Sequence, residues 1–350
     1  DHHLAIAQGQ AVPGRDPQRV FPLTPDDFTL LNPNTKTCPI FRTRADAELT
    51  RKIYQRVPVL VNEATGENPW GISFLRMFDM SNDSHLFRTR DWLEERGFRL
   101  LGNRFVKGEK LYLPLYEAKM IMPFDHRFAN VVVTDNPKRP GQPEIIPPEY
   151  HLSPGCLALP RYWVLETDVP TNGERWLVGF QDVTSATNER TFLAGLIPFA
   201  AVGNTLPLFV LGGTSSASLA AGLLANLNSL CFDFAVRQKV AALHLNFFIV
   251  EQLPALAPGA YNLTDRAVII PRVLELTCTA WDVQPFLDDV WREADSDLRS
   301  AIERQWCENR EATGGHTYDP PEWYTPPGDR CPLPPFKWND DRRARLRAEL

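Results

Sequence analysis

The sequence predicts an α+β fold: a mixed or antiparallel sheet with packed helices, continuing into a helical, Pro-rich C-terminal portion. Three observations carry this. Apolar, strand-like runs separated by polar loops fill the middle of the chain, an apolar stripe at helical spacing crosses residues 218–238, and helical patterns alternate with proline clusters beyond residue 256. A chain of 350 residues also exceeds the usual size of one domain. We divide it into an extended connector (1–30), a second segment (31–150), a strand-rich core (151–255) and the helical portion (256–350).

The connector assignment rests on a polar stretch containing Pro13, Pro17, Pro22 and Pro25 without sustained periodicity, which reads as a lead from something upstream. Residues 43–56 place Ala45, Leu49, Ile53 and Tyr54 at helical spacing, with Thr43 as the cap. Residues 66–128 interleave aromatic and basic side chains, a composition suited to phosphates and bases; a strand-rich core with solvated arginines would look the same. Residues 157–166 and 175–183 read as strands flanking Asn172-Gly173, a hairpin signal. The polar run TSATNER, residues 184–190, then leads into the buried strands TFLAGLIPFAAV and LPLFVL.

Leu219, Leu223, Leu227, Leu230, Cys231 and Phe234 form the stripe of one continuous helix over 218–238. HLNFFIVEQLP alternates apolar and polar positions up to Pro254 and reads as a strand. One or two helices are expected over 258–285 and another over 290–304. The stretch DPPEWYTPPGDRCPLPPF can only be extended or turned, and DDRRARLRAEL begins a helix whose pattern stops in mid-course.

The most apolar run, 191–211, is broken by Pro198, Asn204 and Pro207, so no membrane span is expected, and the start has neither a basic nor an apolar signal region. Six cysteines without a C-x-x-C pair fit neither a zinc ribbon nor a disulfide framework, and a reducing cytoplasm is the expected location. Cys307, His316 and Cys331 are conceivable metal ligands at a spacing that matches no usual site. The net charge of −6 excludes a protein that coats nucleic acid through its overall field. Charge is uneven, however: sixteen basic against twelve acidic residues over 36–127, five against thirteen over 275–335.

Several blocks occur in a fixed order: NPNTKTCPIF, the helix ADAELTRKIYQRVPVL, PLYEAKM with FDHRF, LPRYWV, FQDVTSATNERT, GNT, and LANLNSLCFDFAVRQKV with HLNFFIVEQLP. This series resembles the C-terminal, target-recognition region of single-chain restriction-modification adenine-specific DNA methyltransferases of type IIG/IIL or type I-like organisation, over residues 20–350. The resemblance implies sequence-specific binding of double-stranded DNA. It also implies an upstream methyltransferase domain as partner and holder of S-adenosylmethionine, with no cofactor in this chain. The catalytic signature of such enzymes, Asn/Asp-Pro-Pro-Tyr/Phe around a flipped adenine, is absent: Asn32-Pro33-Asn34-Thr35 shares its first two letters and Asp135-Asn136-Pro137-Lys138 lacks the aromatic. Gly212-Gly213-Thr214 is a weak cofactor signal. Methyl transfer by this chain alone is not expected.

The resemblance places Tyr116, Lys119, His126 and Arg127 in the recognition portion near its junction with the catalytic one. In TSATNER, Thr184, Ser185, Asn188, Glu189 and Arg190 are candidate DNA contacts, since Asn pairs with adenine edges, Arg with guanine and Glu with the cytosine amino group. The bland alternative is that Asn188 and Thr184 brace the turn while Glu189 and Arg190 pair locally. Arg161 and Tyr162, Asn204, Lys239, His244 and Asn246 complete the candidates. Arg237 and Lys239 also suit the dipole of a helix end, and a strand histidine is more often a satisfied core residue. Two rivals stand beside DNA recognition. Glu117-Ala118-Lys119 matches half of a PD-(D/E)xK nuclease site, with Glu109 or Asp125 as imperfect partners. The acidic C-terminal portion suits a scaffold that binds only protein.

Overall fold

The computed structural model describes residues 3–6, 16–134, 141–171, 173–212, 216–240, 243–328 and 330–350, with no side-chain description for residues 3–6. In chain order the strands are β1 His3–Ile6, β2 Val20–Leu23, β3 Ile72–Leu75, β4 Arg99–Leu101, β5 Arg104–Lys107, β6 Lys110–Tyr116, β7 Ala129–Val133, β8 Gly141–Ile145, β9 Trp163–Leu165, β10 Trp176–Phe180, β11 Ala194–Pro198, β12 Ala201–Val202 and β13 Leu208–Leu211. The helices are α1 Pro25–Leu31, α2 Arg44–Arg56, α3 Arg90–Glu95, α4 Pro148–His151, α5 Ala217–Leu227, α6 Leu230–Arg237, α7 Phe247–Val250, α8 Leu263–Thr277, α9 Gln284–Glu293, α10 Ser296–Ala312 and α11 Asp340–Glu349. The fold is α+β. One antiparallel sheet has the order β11-β10-β13-β3; a second, mixed sheet has β12-β6-β5-β4, with β9 also on β6 and β12 parallel to it.

The largest core lies between the antiparallel sheet and the helices: Val178, Phe180, Leu196 and Phe209 face Leu223, Leu224, Leu274, Phe286, Ile302 and Leu346 in one buried cluster. Sheet and C-terminal helices therefore share apolar interior. Gly71 and Gly212 close the end of this sheet, with Gly212 N donating to Gly71 O at 2.9 Å; a Cβ on Gly212 would stand 2.8 Å from that oxygen. Close backbone approach thus explains Gly212, while Gly213 and Thr214 lie outside the described residues.

Local signals explain the helices that match expectation. Thr43 caps α2 by accepting from Asp46 N, and Ala47, Thr50 and Tyr54 are its buried face. Asn262 and Asp265 form a capping box on α8, and Asn339 caps α11.

Five expectations are corrected. Residues 20–31 are folded: Thr24 and Asp27 form a capping box, Pro25 sits at the start of α1, and Phe21, Leu23 and Leu31 join Phe41 and Tyr54 in a small core. Residues 163–165 and 176–180 do not pair. Instead β9 joins β6 while β10 lies between β11 and β13, because Trp163 buries its ring against Phe105 and donates from Nε1 to Asn103 O at 2.8 Å. Asn172 lies outside the described residues.

The helix expected over 218–238 is two helices bent by 58°. Asn228 turns its side chain back to Ala194, accepting from its N and donating to its O, and Ser229 begins a new helix by capping Phe232 N. The expected strand at 244–254 pairs at its two ends, where Thr184 N meets Leu243 O and Leu245 N meets Asp182 O, and where Leu60 N meets Leu253 O beside the Val59–Pro254 bridge; between them it forms α7. Buried Leu245, Val250 and Leu253 replace the alternating face, and Leu243 is exposed. The helix expected over 290–304 is interrupted between α9 and α10, where Asp295 accepts from Leu298 N at 2.8 Å as a new cap. Among the described residues, no single helix is long and apolar enough to cross a membrane.

Candidate nucleic-acid interface

The loop between β10 and β11 contains TSATNER, and its backbone is held from behind by α6. Arg237 donates from Nη1 to the carbonyls of Ala186 and Asn188, both at 2.8 Å, and from Nη2 to Glu189 O at 3.0 Å. The same Nη2 reaches Asp233 Oδ2 at 2.9 Å, one turn back on α6. Asp233 is buried, and its Oδ1 accepts from Thr191 N at 2.7 Å and Phe192 N at 2.8 Å, where the chain enters β11. Thr184 closes the other end, donating from Oγ1 to Thr191 O at 2.6 Å. Ser185 Oγ pairs with Thr187 Oγ1 inside the loop.

The loop backbone is therefore fixed while two of its side chains are free. Asn188 and Glu189 are exposed, and neither side chain has a hydrogen bond or ion pair among the described residues. Arg190 is not free: it donates to Asn228 O and Ser229 O and stands 3.6 Å from Asp233. The local Glu189–Arg190 pair is thus replaced by anchoring of Arg190 to α6. A groove of about 710 Å³ runs beside the loop, lined by Asn188, Glu189 and Arg190 on one side and by Phe124 and Arg347 on the other.

His244 and Asn246 lie next to the root of this loop through the Val183–His244 bridge. The His244 side chain is 57% exposed, and its Nδ1 is 3.4 Å from Asp182 Oδ2. Asn246 is exposed at the start of α7 without making a side-chain cap. Asp182 also receives Arg76, a residue the sequence did not single out: Arg76 Nη1 donates to Asp182 Oδ2 at 2.9 Å and to Asn204 O at 2.8 Å. Asn204 donates to Asp79 Oδ2 at 3.2 Å and holds this corner together.

The remaining candidates are interior or spoken for. Tyr116 and His126 are 0% and 1% exposed, and His126 Nε2 lies 2.8 Å from Asp282 Oδ1. Arg127 is 1% exposed and donates to the carbonyls of Ser153, Cys156, His151 and Thr279. Arg161 forks onto both oxygens of buried Glu117 at 2.8 and 3.1 Å, with Lys119 Nζ 3.1 Å from the same carboxylate. This neutralises the acid that the nuclease alternative would need for a metal. Lys119 also donates to Gly141 O. Tyr162 stacks on Phe87 at 5.7 Å between ring centroids.

Lys239 points inward to Leu31 O, Asn32 Oδ1 and Gln252 O, and burial pulls its ammonium down to about 7. It ties the segment after α1 to the end of α7, rather than presenting charge to a ligand. Among the described residues, no group of three His, Cys, Asp or Glu is arranged to hold a metal. His316 packs between the rings of Trp306 and Tyr318.

No family model and no curated protein matches this chain. The side chains that remain outward and able to meet a ligand are Asn188, Glu189, Asn246 and His244, with Ser185 and Thr187 beside them. These groups offer hydrogen-bond donors and acceptors on a surface whose backbone is already ordered.

Proposed function

We propose that this chain recognises a specific sequence in double-stranded DNA on behalf of an adenine-specific methyltransferase of the restriction-modification type. The observation that carries the reading is the clamped polar loop: Arg237 and Asp233 hold its backbone, while the Asn188 and Glu189 side chains project without partners among the described residues. Base edges in the major groove are distinguished by donor and acceptor patterns, and amide and carboxylate side chains match adenine and cytosine edges respectively. A loop that is ordered before binding loses little conformational entropy on docking. The ordered series of sequence blocks supplies the methyltransferase context, in which S-adenosylmethionine and the catalytic groups belong to a separate domain.

A second reading is a face for a protein partner, favoured by Leu243, Val183 and Leu230, which are 64%, 49% and 75% exposed near the same loop. Binding of wild type, Asn188→Ala and Glu189→Ala to a randomised duplex pool separates the two. Recognition predicts an enriched motif in wild type and, in each variant, lost preference at one position, with about 1–3 kcal/mol of discrimination removed. A protein-binding face predicts no retained motif.

A further inference from the structure

We infer that Arg76 is a specificity-determining residue that reads a guanine in the major groove, with buried Asp182 as the residue that positions it. The inference rests on the duplex-recognition reading. Arg76 follows β3, and one edge of its guanidinium is committed inward: Nη1 donates to Asp182 Oδ2 and to Asn204 O. Its carbon stands 5.1 Å from the centroid of the Phe247 ring, which is itself stacked on Phe74 at 4.8 Å. The plane of the fork is thus held on three sides.

The other edge is open. Nε and Nη2 make no hydrogen bond among the described residues, and the side chain is 34% exposed. Two parallel donors of this kind match guanine O6 and N7. Their location fits: Asp182 donates from its N to Thr205 O and accepts at its O from Leu245 N, two residues before Thr184 opens the clamped loop. The open edge of Arg76 therefore lies at the root of the loop that carries Asn188 and Glu189.

Charge decides between a base and a phosphate. The positive charge of Arg76 is balanced by Asp182, and Asp79 lies one hydrogen bond further on through Asn204. A phosphate contact draws its strength from net positive charge and counterion release. A charge-balanced fork held in one orientation retains its hydrogen-bond geometry but little net field, which is the requirement for reading a base edge. A carboxylate as buried as Asp182, 4% exposed, is costly unless paired, and its place behind an exposed arginine is accounted for by this bracing role.

The test uses the full chain, with selection from randomised duplex followed by affinities for the enriched duplex and its single-base variants over a range of salt. Wild type should enrich a motif containing guanine. Arg76→Gln, which can still donate to Asp182, should lose preference for one guanine by about ten- to a hundredfold while leaving the other positions and the salt slope unchanged. Asp182→Asn, which keeps the arginine but removes its charged brace, should weaken preference at that same position and no other. Thermal unfolding checks that each variant is folded, and either one alone suffices to locate the position. Uniform weakening with the salt slope reduced by about one would make Arg76 a phosphate contact and overturn the inference. So would an unchanged motif in both variants, or an enriched motif without guanine. Failure of wild type to enrich any motif would instead remove the recognition reading, and this inference with it.

Discussion

Replacing Arg237, the last residue of α6, by Met removes the guanidinium that holds the loop at 184–190 while keeping an unbranched stem. Three loop carbonyls, Ala186, Asn188 and Glu189, lose their donor, and Asp233 loses one of its cations. Charge-assisted hydrogen bonds contribute about 1.5–3 kcal/mol each when buried, but this side chain is 27% exposed and water can re-solvate the carbonyls. A local loss of about 1–3 kcal/mol follows, with little effect on global stability because Arg190 remains 3.6 Å from Asp233. The opening equilibrium of the loop would shift by about ten- to a hundredfold. Native-state hydrogen exchange reads this at the amides of Thr191 and Phe192, which donate to Asp233 Oδ1. Asn188→Ala is the control, since the Asn188 side chain takes no part in the clamp. Unchanged exchange at both amides in Arg237→Met would refute the idea that α6 orders the loop.

Three further outcomes follow from the same contacts. Glu275 is 2% exposed and receives Arg342, Gln305 and Asn309, joining α8, α10 and α11; Glu275→Gln should cost about 3 kcal/mol in denaturant unfolding by leaving Arg342 only the exposed Glu308, 3.9 Å away, as counter-charge. Lys239, with its ammonium pulled down to about 7 by burial, binds fewer protons folded than unfolded between pH 7 and its ordinary value of 10.5, so stability rises with pH across that window. The advantage of wild type over Lys239→Met should grow by about 2 kcal/mol from pH 7 to pH 9, measured by urea unfolding. Burial pushes the Asp125 carboxyl up, but His151, Arg343 and the Arg127 amide more than offset it and hold it at about 2. Its contribution is present above the ordinary value of 3.8 and is lost as pH falls towards 2, so the stability gap between wild type and Asp125→Asn should shrink by about 2–3 kcal/mol over that range.

The parts legible in the sequence are those governed by neighbours along the chain. The Thr43 cap, the polar loop at 184–190 and the strands around 194–198 and 208–211 were each marked by a local pattern. Local patterns failed where a distant partner decided the outcome. Asn228 breaks the long apolar stripe because it bonds to Ala194, 34 residues away, and β9 leaves its apparent hairpin for β6. The same holds for the site. Arg127 sits among aromatic residues like a surface arginine, yet Thr279, 152 positions later, draws it inside. Arg76 could not be distinguished from other arginines without Asp182, 106 positions away. The pair Asp233 and Arg237 was within reach, being four apart on a helix, but its hold on the loop depends on the turn that brings 186–189 over α6.

The most direct test of the account is selection of duplex from a randomised library by the wild-type chain at low and moderate salt, with sequencing of the retained fraction. Recognition through the clamped loop predicts one short motif enriched at both salts, with total retention falling as salt rises. Retention without sequence preference at either salt, or no retention at all, would contradict it.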